Sequence, residues 1–379
     1  MDDILIKNGR VMDAYRGIDT ICDVCIKNGQ IIENTDIGTP DVVIDATNCL
    51  VVPGLIDYHA HVFQKGTDAG VSPDVAMLPN GVTTVVDGGS SGSANYESFY
   101  TDTIMHSTVR VKSFIALSSD GQISMNKPDT YDVRYCDENK IKYLAEKYKD
   151  NILGIKLKQT KNNINNTGLE PIQKAVLLAE QIGCRINVHV IDPPCPTDEL
   201  VKYFRPGDIF THVYHGTGNT ILDEKGHVFP EVWKAKKRGV IFDACNGKNN
   251  FDFAIAKKAM IDGFYPDIIS SDITMMTLYK HPAIALPWIM SKYLALGMDL
   301  QAVIAAVTAV PAKCMEMEGE IGTLQPGACA DVAVLKNTSG KFSFFDAKEA
   351  CVEGKQLLVP QLTIREGTIV YKNLSSTLY

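Results

Sequence analysis

No stretch of this sequence approaches the ~18 consecutive apolar residues that a membrane span needs. The start, MDDILIKNGR, lacks the basic-then-apolar layout of an export signal, so a cytoplasmic protein without membrane contact is expected. Dense cationic blocks are also missing. KAKKR at 234–238 stands alone in a chain of formal charge −8, which leaves no footprint for a polyanion and argues against nucleic acid as a partner. No Gly-x-Ser-x-Gly elbow occurs, although DGGSSGSAN is rich in both residues, so serine hydrolysis without metal lacks its usual local frame. Cysteine is not scarce, at ten residues, but the thiols are scattered and are expected to be reduced. The close pair Cys22 and Cys25 in ICDVC has no second pair to complete a metal site.

What is present suits a large soluble core: 379 residues, 45% of them hydrophobic, are enough for one large domain with an appendage. Residues 1–50 carry short apolar alternations, and the Asn-Gly pairs at 8–9 and 28–29 mark hairpin-type turns of a small antiparallel sheet. The far end repeats that style in ADVAVLK (330–336), KFSFFDA (341–347) and LTIREGTIVYK (362–372). Residues 1–51 and 312–379 are therefore expected to fold together as one small β-domain.

Between them, eight strand-like runs alternate with helix-like ones. The runs are LIDYHAHV, GVTTVVDGG, RVKSFIALS, ILGIKLK, RINVHV, DIFTHVYHG, GVIFDA and DIISSD. Apolar spacing near 3.6 predicts helices over 137–150, 168–183, 229–239 and 250–263, and two more joined at GMD, with Pro311 near the end of the second. This is the pattern of an α/β fold, a (β/α)8 TIM barrel over 52–311.

His59 and His61 end the first run, and strand alternation places them on one face with Asp57. That face points into the barrel at its C-terminal mouth, where barrel active sites sit. Lys156, His189, His212 and Asp272 lie at the ends of later runs. The intervals between them are close to whole multiples of the ~31-residue βα unit and assign them to strands 4, 5, 6 and 8. Imidazoles with a carboxylate make an N/O site suited to zinc or another borderline divalent ion. An ammonium would be repelled there. Lys156 fits only if it loses its charge, as it would on carboxylation by carbon dioxide to a carbamate whose two oxygens can bridge two metals. Lys158, on the same face, is the alternative bridge. Other Cys and Met residues, including Met275 and Met276, are expected to be packing atoms.

The set of HAH, a strand-4 lysine, two single histidines and a final aspartate resembles the amidohydrolase superfamily with a binuclear, carboxylated-lysine centre. VVPGLIDYHAHV and GEIGTLQPGACADVAVL are similar to that family's entry and exit segments. GVTTVVDGGSSG, GIKLK, THVYHG, ISSD and LPWIMSKYLALGM resemble its dihydroorotase-like, or amidohydrolase/deacetylase, subgroup. The resemblance covers nearly the whole chain. It implies one metal on His59, His61 and Asp272, the other on His189 and His212, and Lys156 between them. It also implies a metal-bridging hydroxide as nucleophile and Asp272 as the catalytic acid–base.

The implied activity is hydrolysis of an amide or ester bond in a small N-acyl or O-acyl compound, deacetylase-like. A cyclic-amide hydrolase of the dihydroorotase or hydantoinase kind is the alternative, but Phe63 stands where a dihydroorotase of this type has an arginine after HxH. His215, Asn246 and Ser90 or Ser91 are candidate substrate contacts, and the subgroup resemblance places a histidine near Asn246. The mononuclear deaminase branch typically has a glutamate after strand 5, whereas VIDPPCP follows His189 here. A non-catalytic barrel scaffold is the reading outside enzymes. A homo-oligomer, in the simplest case a dimer, is the ordinary expectation for a barrel of this size.

Overall fold

The computed structural model describes residues 2–34, 37–124, 130–164 and 166–375. Seven parallel strands stand side by side in sequence order: β1 (Leu55–Ala60), β2 (Val82–Asp87), β3 (Arg110–Ala116), β4 (Ile152–Lys158), β5 (Arg185–His189), β6 (Ile209–Thr211) and β7 (Ile241–Asp243). All residues of β1 and β2 are buried, as expected of parallel strands covered on both faces. Helices fall at the predicted crossovers, Glu138–Lys147, Glu170–Ile182, Pro230–Arg238 and Phe253–Ile261. Leu286–Ala295 and Leu300–Ala305 follow, and the expected second helix of that pair breaks at Thr308 before Ala309–Cys314.

The eighth run, DIISSD, makes no ladder of its own. It closes the ring through single parallel bridges, Ile268 to Asp243 and Ile273 to Ala60. Side chains divert its middle: Asp57 Oδ1 accepts from the Ser271 amide at 2.9 Å, and Ser271 Oγ accepts from the Ile273 amide at 3.1 Å.

The chain ends build two further sheets, one of four strands and one of six. Asn28 and Gly29, both at positive φ, form the expected hairpin turn between Val24–Lys27 and Gln30–Ile32. Asn8-Gly9 does something else. Ile4–Lys7 belongs to the four-stranded sheet and Arg10–Asp13 to the six-stranded one, so the pair carries the chain from one sheet to the other. A Cβ on Gly9 would collide with the Val51 side chain, so close approach is what glycine provides there.

The expected strands at 330–336 and 341–347 are one continuous strand, Val332–Phe345. Its partner is Cys351–Arg365, whose Pro360 sits at a register shift, where a missing amide is tolerated. The six-stranded sheet uses both its faces. Val51, Val332 and Val334 face a core shared with Ile4, Ile26 and Ile44, while Leu50, Val52, Ala333 and Leu335 join the barrel core.

Asp331 ties the sheet to the barrel. It accepts from Arg110 at the start of β3 (2.8 Å) and from Arg365 (3.2 Å), with the Glu366 amide at 2.9 Å. Asp331→Ala would leave Arg110 and Arg365 paired with Glu366 alone, and unfolding titrations should show a loss of about 1.5–3 kcal/mol. A loss below ~1 kcal/mol would mean that water already screens the pair.

Candidate metal centre

The strand ends bring the six sequence-predicted ligand residues together at one end of the barrel. His59 and Lys156 are buried, with the lysine Nζ 3.3 Å from His59 Nε2. His61 Nε2 lies 3.2 Å from Asp272 Oδ1, and His59 Nε2 lies 4.0 Å from the same oxygen. On the other side, His212 Nε2 and His189 Nδ1 are 2.8 Å apart. The His59 and His212 ring centres, 5.8 Å apart, span the two groups. Lys158 pairs with His189 in the ladder and is only partly buried, nearer the mouth.

Hydrogen bonds around the histidines select tautomers. Ser90 Oγ donates to Asp87 Oδ2 (2.7 Å), so the same hydroxyl oxygen accepts from His61 Nδ1 (2.9 Å), while His61 Nε2 faces Asp272 Oδ1. His212 Nδ1 can only donate to the Cys245 carbonyl (2.8 Å), so in the neutral ring its Nε2 carries the lone pair, aimed at His189 Nδ1. Burial pushes His59 and His189 well below the usual imidazole range and His212 down to about 3, so all three are neutral ligand-type imidazoles at pH 7. Asp272 is held below the usual carboxylate range: burial pushes it up, but the hydrogen bond with His61 and the neighbouring charges outweigh that.

Lys156 is the unusual member. Its Nζ donates to Asn187 Oδ1 at 2.9 Å, and no carboxylate is hydrogen-bonded to it among the described residues. Burial takes its pKa down to about 8. Gly88 and Gly89 make room for the pair, since a Cβ on Gly88 would strike His59 Nε2 and one on Gly89 would strike the Lys156 stem.

Three non-glycine residues at consecutive strand ends occupy the left-handed region: His212 (φ 69°), Cys245 (φ 35°) and Asp272 (φ 53°). Such conformations cost on the order of 1–3 kcal/mol each and gather at functional sites, where surrounding contacts hold them.

The substrate candidates sit as follows. Ser90 is wholly buried beneath His61, and the Ser91 hydroxyl is buried without a hydrogen bond. Asn246 donates from Nδ2 to the Ser270 carbonyl (3.0 Å), and its Oδ1 is unpaired. His215 makes no side-chain hydrogen bond of normal geometry, and burial takes it down to about 4 against a pull from the Thr217 backbone. Phe63 packs on Phe99 with ring centres 4.8 Å apart. Met275 and Met276, expected to pack, are instead 56% and 38% exposed, on the turn after Asp272.

Sequence reasoning passed over Asp243, Cys245, Asn187 and Asn250. Asp243 accepts from Ser270 Oγ (2.7 Å), and burial raises its pKa to about 7. Asn250 Nδ2 donates to Asp272 Oδ2 at 2.6 Å. Asp243 ends β7 and Cys245 follows two residues on in GVIFDAC, an alternation that strand period offered as a signal.

Ser90→Ala is expected to free the His61 ring and weaken metal retention by about 10–100-fold in chelator competition, the usual scale for a partner that orients a ligand. Unchanged retention would show that His61 is oriented without Ser90.

The amidohydrolase family model matches residues 50–370, and the chain belongs to that family. It is 29% identical over 322 residues, 85% of this chain and 79% of the other, to a protein from Agrobacterium fabrum named deacetylase Atu3266. To a protein of Enterococcus faecalis named deacetylase it is 27% identical, over 97% of this chain and 98% of that one. A crystal structure titled as an adenine deaminase superposes with a TM-score of 0.90 at 27% identity, covering 98% of this chain and 100% of that one.

Proposed function

We propose that this chain is a binuclear metal-dependent hydrolase that removes an acyl group from a small N-acyl or O-acyl compound. His59, His61 and Asp272 would hold one divalent ion, His189 and His212 the other, and Lys156, as its carbamate, would join them. Zinc suits this N/O donor set best. The observation that carries the reading is the electron-pair geometry: the tautomer of His212 turns the Nε2 lone pair toward His189 Nδ1, near a buried amine with no hydrogen-bonded carboxylate among the described residues. Neutral imidazoles and a partly neutral amine are the protonation states that metal binding and carbamate formation require.

When bound, the metals supply a water activated near neutral pH and a polarised substrate carbonyl. The chain's own groups do the rest. Asp272, kept ionised by His61 and steered by Asn250, takes the proton released in the attack and delivers it to the leaving group. His215, whose ring nitrogens make no hydrogen bond of normal geometry, and Asn246, through its buried Oδ1, would read the substrate's polar groups. Phe63, turned into the core against Phe99, offers no cation for a substrate carboxylate, which favours an acyl compound over a dihydroorotate-like ring.

The proposal includes a cytoplasmic enzyme acting on a small molecule, with residues 1–51 and 312–379 as the small β-domain and 52–311 as the barrel. Among the described residues no helix is long and apolar enough to cross a membrane. The test is chelator dialysis followed by re-addition of zinc with bicarbonate, assayed on a panel of N-acetyl and O-acetyl compounds. Activity lost and then restored supports the reading. An undiminished rate in metal-free protein overturns it, and turnover confined to cyclic amides shifts it to the dihydroorotase-like alternative.

A further inference from the structure

We propose that Cys245 is an additional donor to the centre, giving the ion on His59 and Asp272 a sulfur ligand and a preference for thiophilic metals. The inference rests on the binuclear reading above and adds a residue that the resemblance to the family did not assign.

The donor atoms of His59, Cys245 and Asp272 all lie within 4.8 Å of one another, and all three residues are buried. Zinc bonds sulfur at about 2.3 Å and nitrogen or oxygen at about 2.0 Å, so two donors on one ion stand up to ~4 Å apart. Small side-chain rotations would close this set on a single ion. The backbone of Cys245 is held on both sides by the site itself. Its amide donates to Asp243 Oδ1 at 3.0 Å and its carbonyl accepts from His212 Nδ1 at 2.8 Å, while its φ of 35° turns the residue out of the strand path. The donor on His59 is Nε2, which lies 4.0 Å from Asp272 Oδ1, while Nδ1 faces Asp243 Oδ2 at 3.9 Å on the other edge of the ring.

The charge balance allows it. Two divalent ions bring four positive charges, of which the carbamate and Asp272 offset two. A thiolate would therefore be neutralised inside the site, where an isolated one would be costly. Thiolate ligands favour zinc, cadmium and other soft ions over magnesium or manganese.

Cobalt(II) loaded into metal-stripped protein provides the first readout. Wild type is expected to show a near-ultraviolet thiolate-to-cobalt charge-transfer band that Cys245→Ser loses and Cys351→Ser, at an exposed hairpin position, retains. X-ray absorption of the wild-type zinc protein provides the second and needs no variant: it should contain sulfur in the metal shell. If Cys245→Ser loses its native circular dichroism, the wild-type spectrum decides alone. Two ions bound without sulfur, or a band that survives in Cys245→Ser, overturn this inference and leave the binuclear reading standing. No bound ion by elemental analysis overturns both.

Discussion

Lys156→Ala is expected to empty the centre of both ions and to lower hydrolytic turnover by about a thousandfold or more, the scale on which loss of an activated nucleophile or acid–base group is felt. The proposed carbamate would be shared by the two ions, so its loss would not be a matter of one ligand in six. The chain prepares the lysine for that role. With burial taking its pKa to about 8, roughly a tenth of the amine is neutral at pH 7, against less than about a thousandth at the ordinary lysine value. Only the neutral amine attacks carbon dioxide, so metal uptake by stripped wild type should rise with bicarbonate, and rise faster above pH 7 than below it. Lys158→Ala is the internal control, because that side chain lies nearer the mouth and is only partly buried. If Lys156→Ala retains two ions while Lys158→Ala loses them, the bridge has been assigned to the wrong lysine.

Asp272→Asn is expected to lower kcat by about 10²- to 10⁴-fold, with a far smaller change in KM. The amide can still approach a metal through its oxygen but cannot carry a proton between nucleophile and leaving group. Asp272 is ionised at pH 7 because the His61 hydrogen bond and nearby charges outweigh burial. A carboxylate whose pKa is lowered keeps its base form to lower pH. The acid limb of wild-type activity should therefore lie below the usual carboxylate range, unless loss of metal intervenes first. Asn250→Ala removes the 2.6 Å hydrogen bond to Oδ2 and should cost less, about tenfold, while moving that limb. Asp272→Asn with nearly wild-type kcat would show that the proton travels by another group.

Much of this was legible in the chain. Parallel strands buried on both faces must be apolar almost throughout, so imidazoles, a lysine and an aspartate at the ends of LIDYHAHV, ILGIKLK, RINVHV, DIFTHVYHG and DIISSD stand out against their own strands. Regular βα spacing then assigns them to one mouth. Local periodicity also located the barrel helices, because the 3.6-residue pattern survives wherever one helix face is buried.

Tertiary contacts decided the rest. Whether Asn-Gly closes a hairpin or carries the chain between sheets depends on what lies against it: Gly9 faces Val51, which is distant in sequence. The eighth strand is no ladder because Asp57 and Ser271 take amides that a strand would use. Ser90 lies under a histidine because Asp87 claims its proton. The charge state of Lys156 follows from its complete burial beside His59 and Asn187. Sequence by itself determined which residue types reach the mouth of the barrel, since strand period and spacing are local properties. Only the folded structure decided which lone pair faces which neighbour and which side chain is stripped of water, because both depend on residues from different strands meeting in one buried volume.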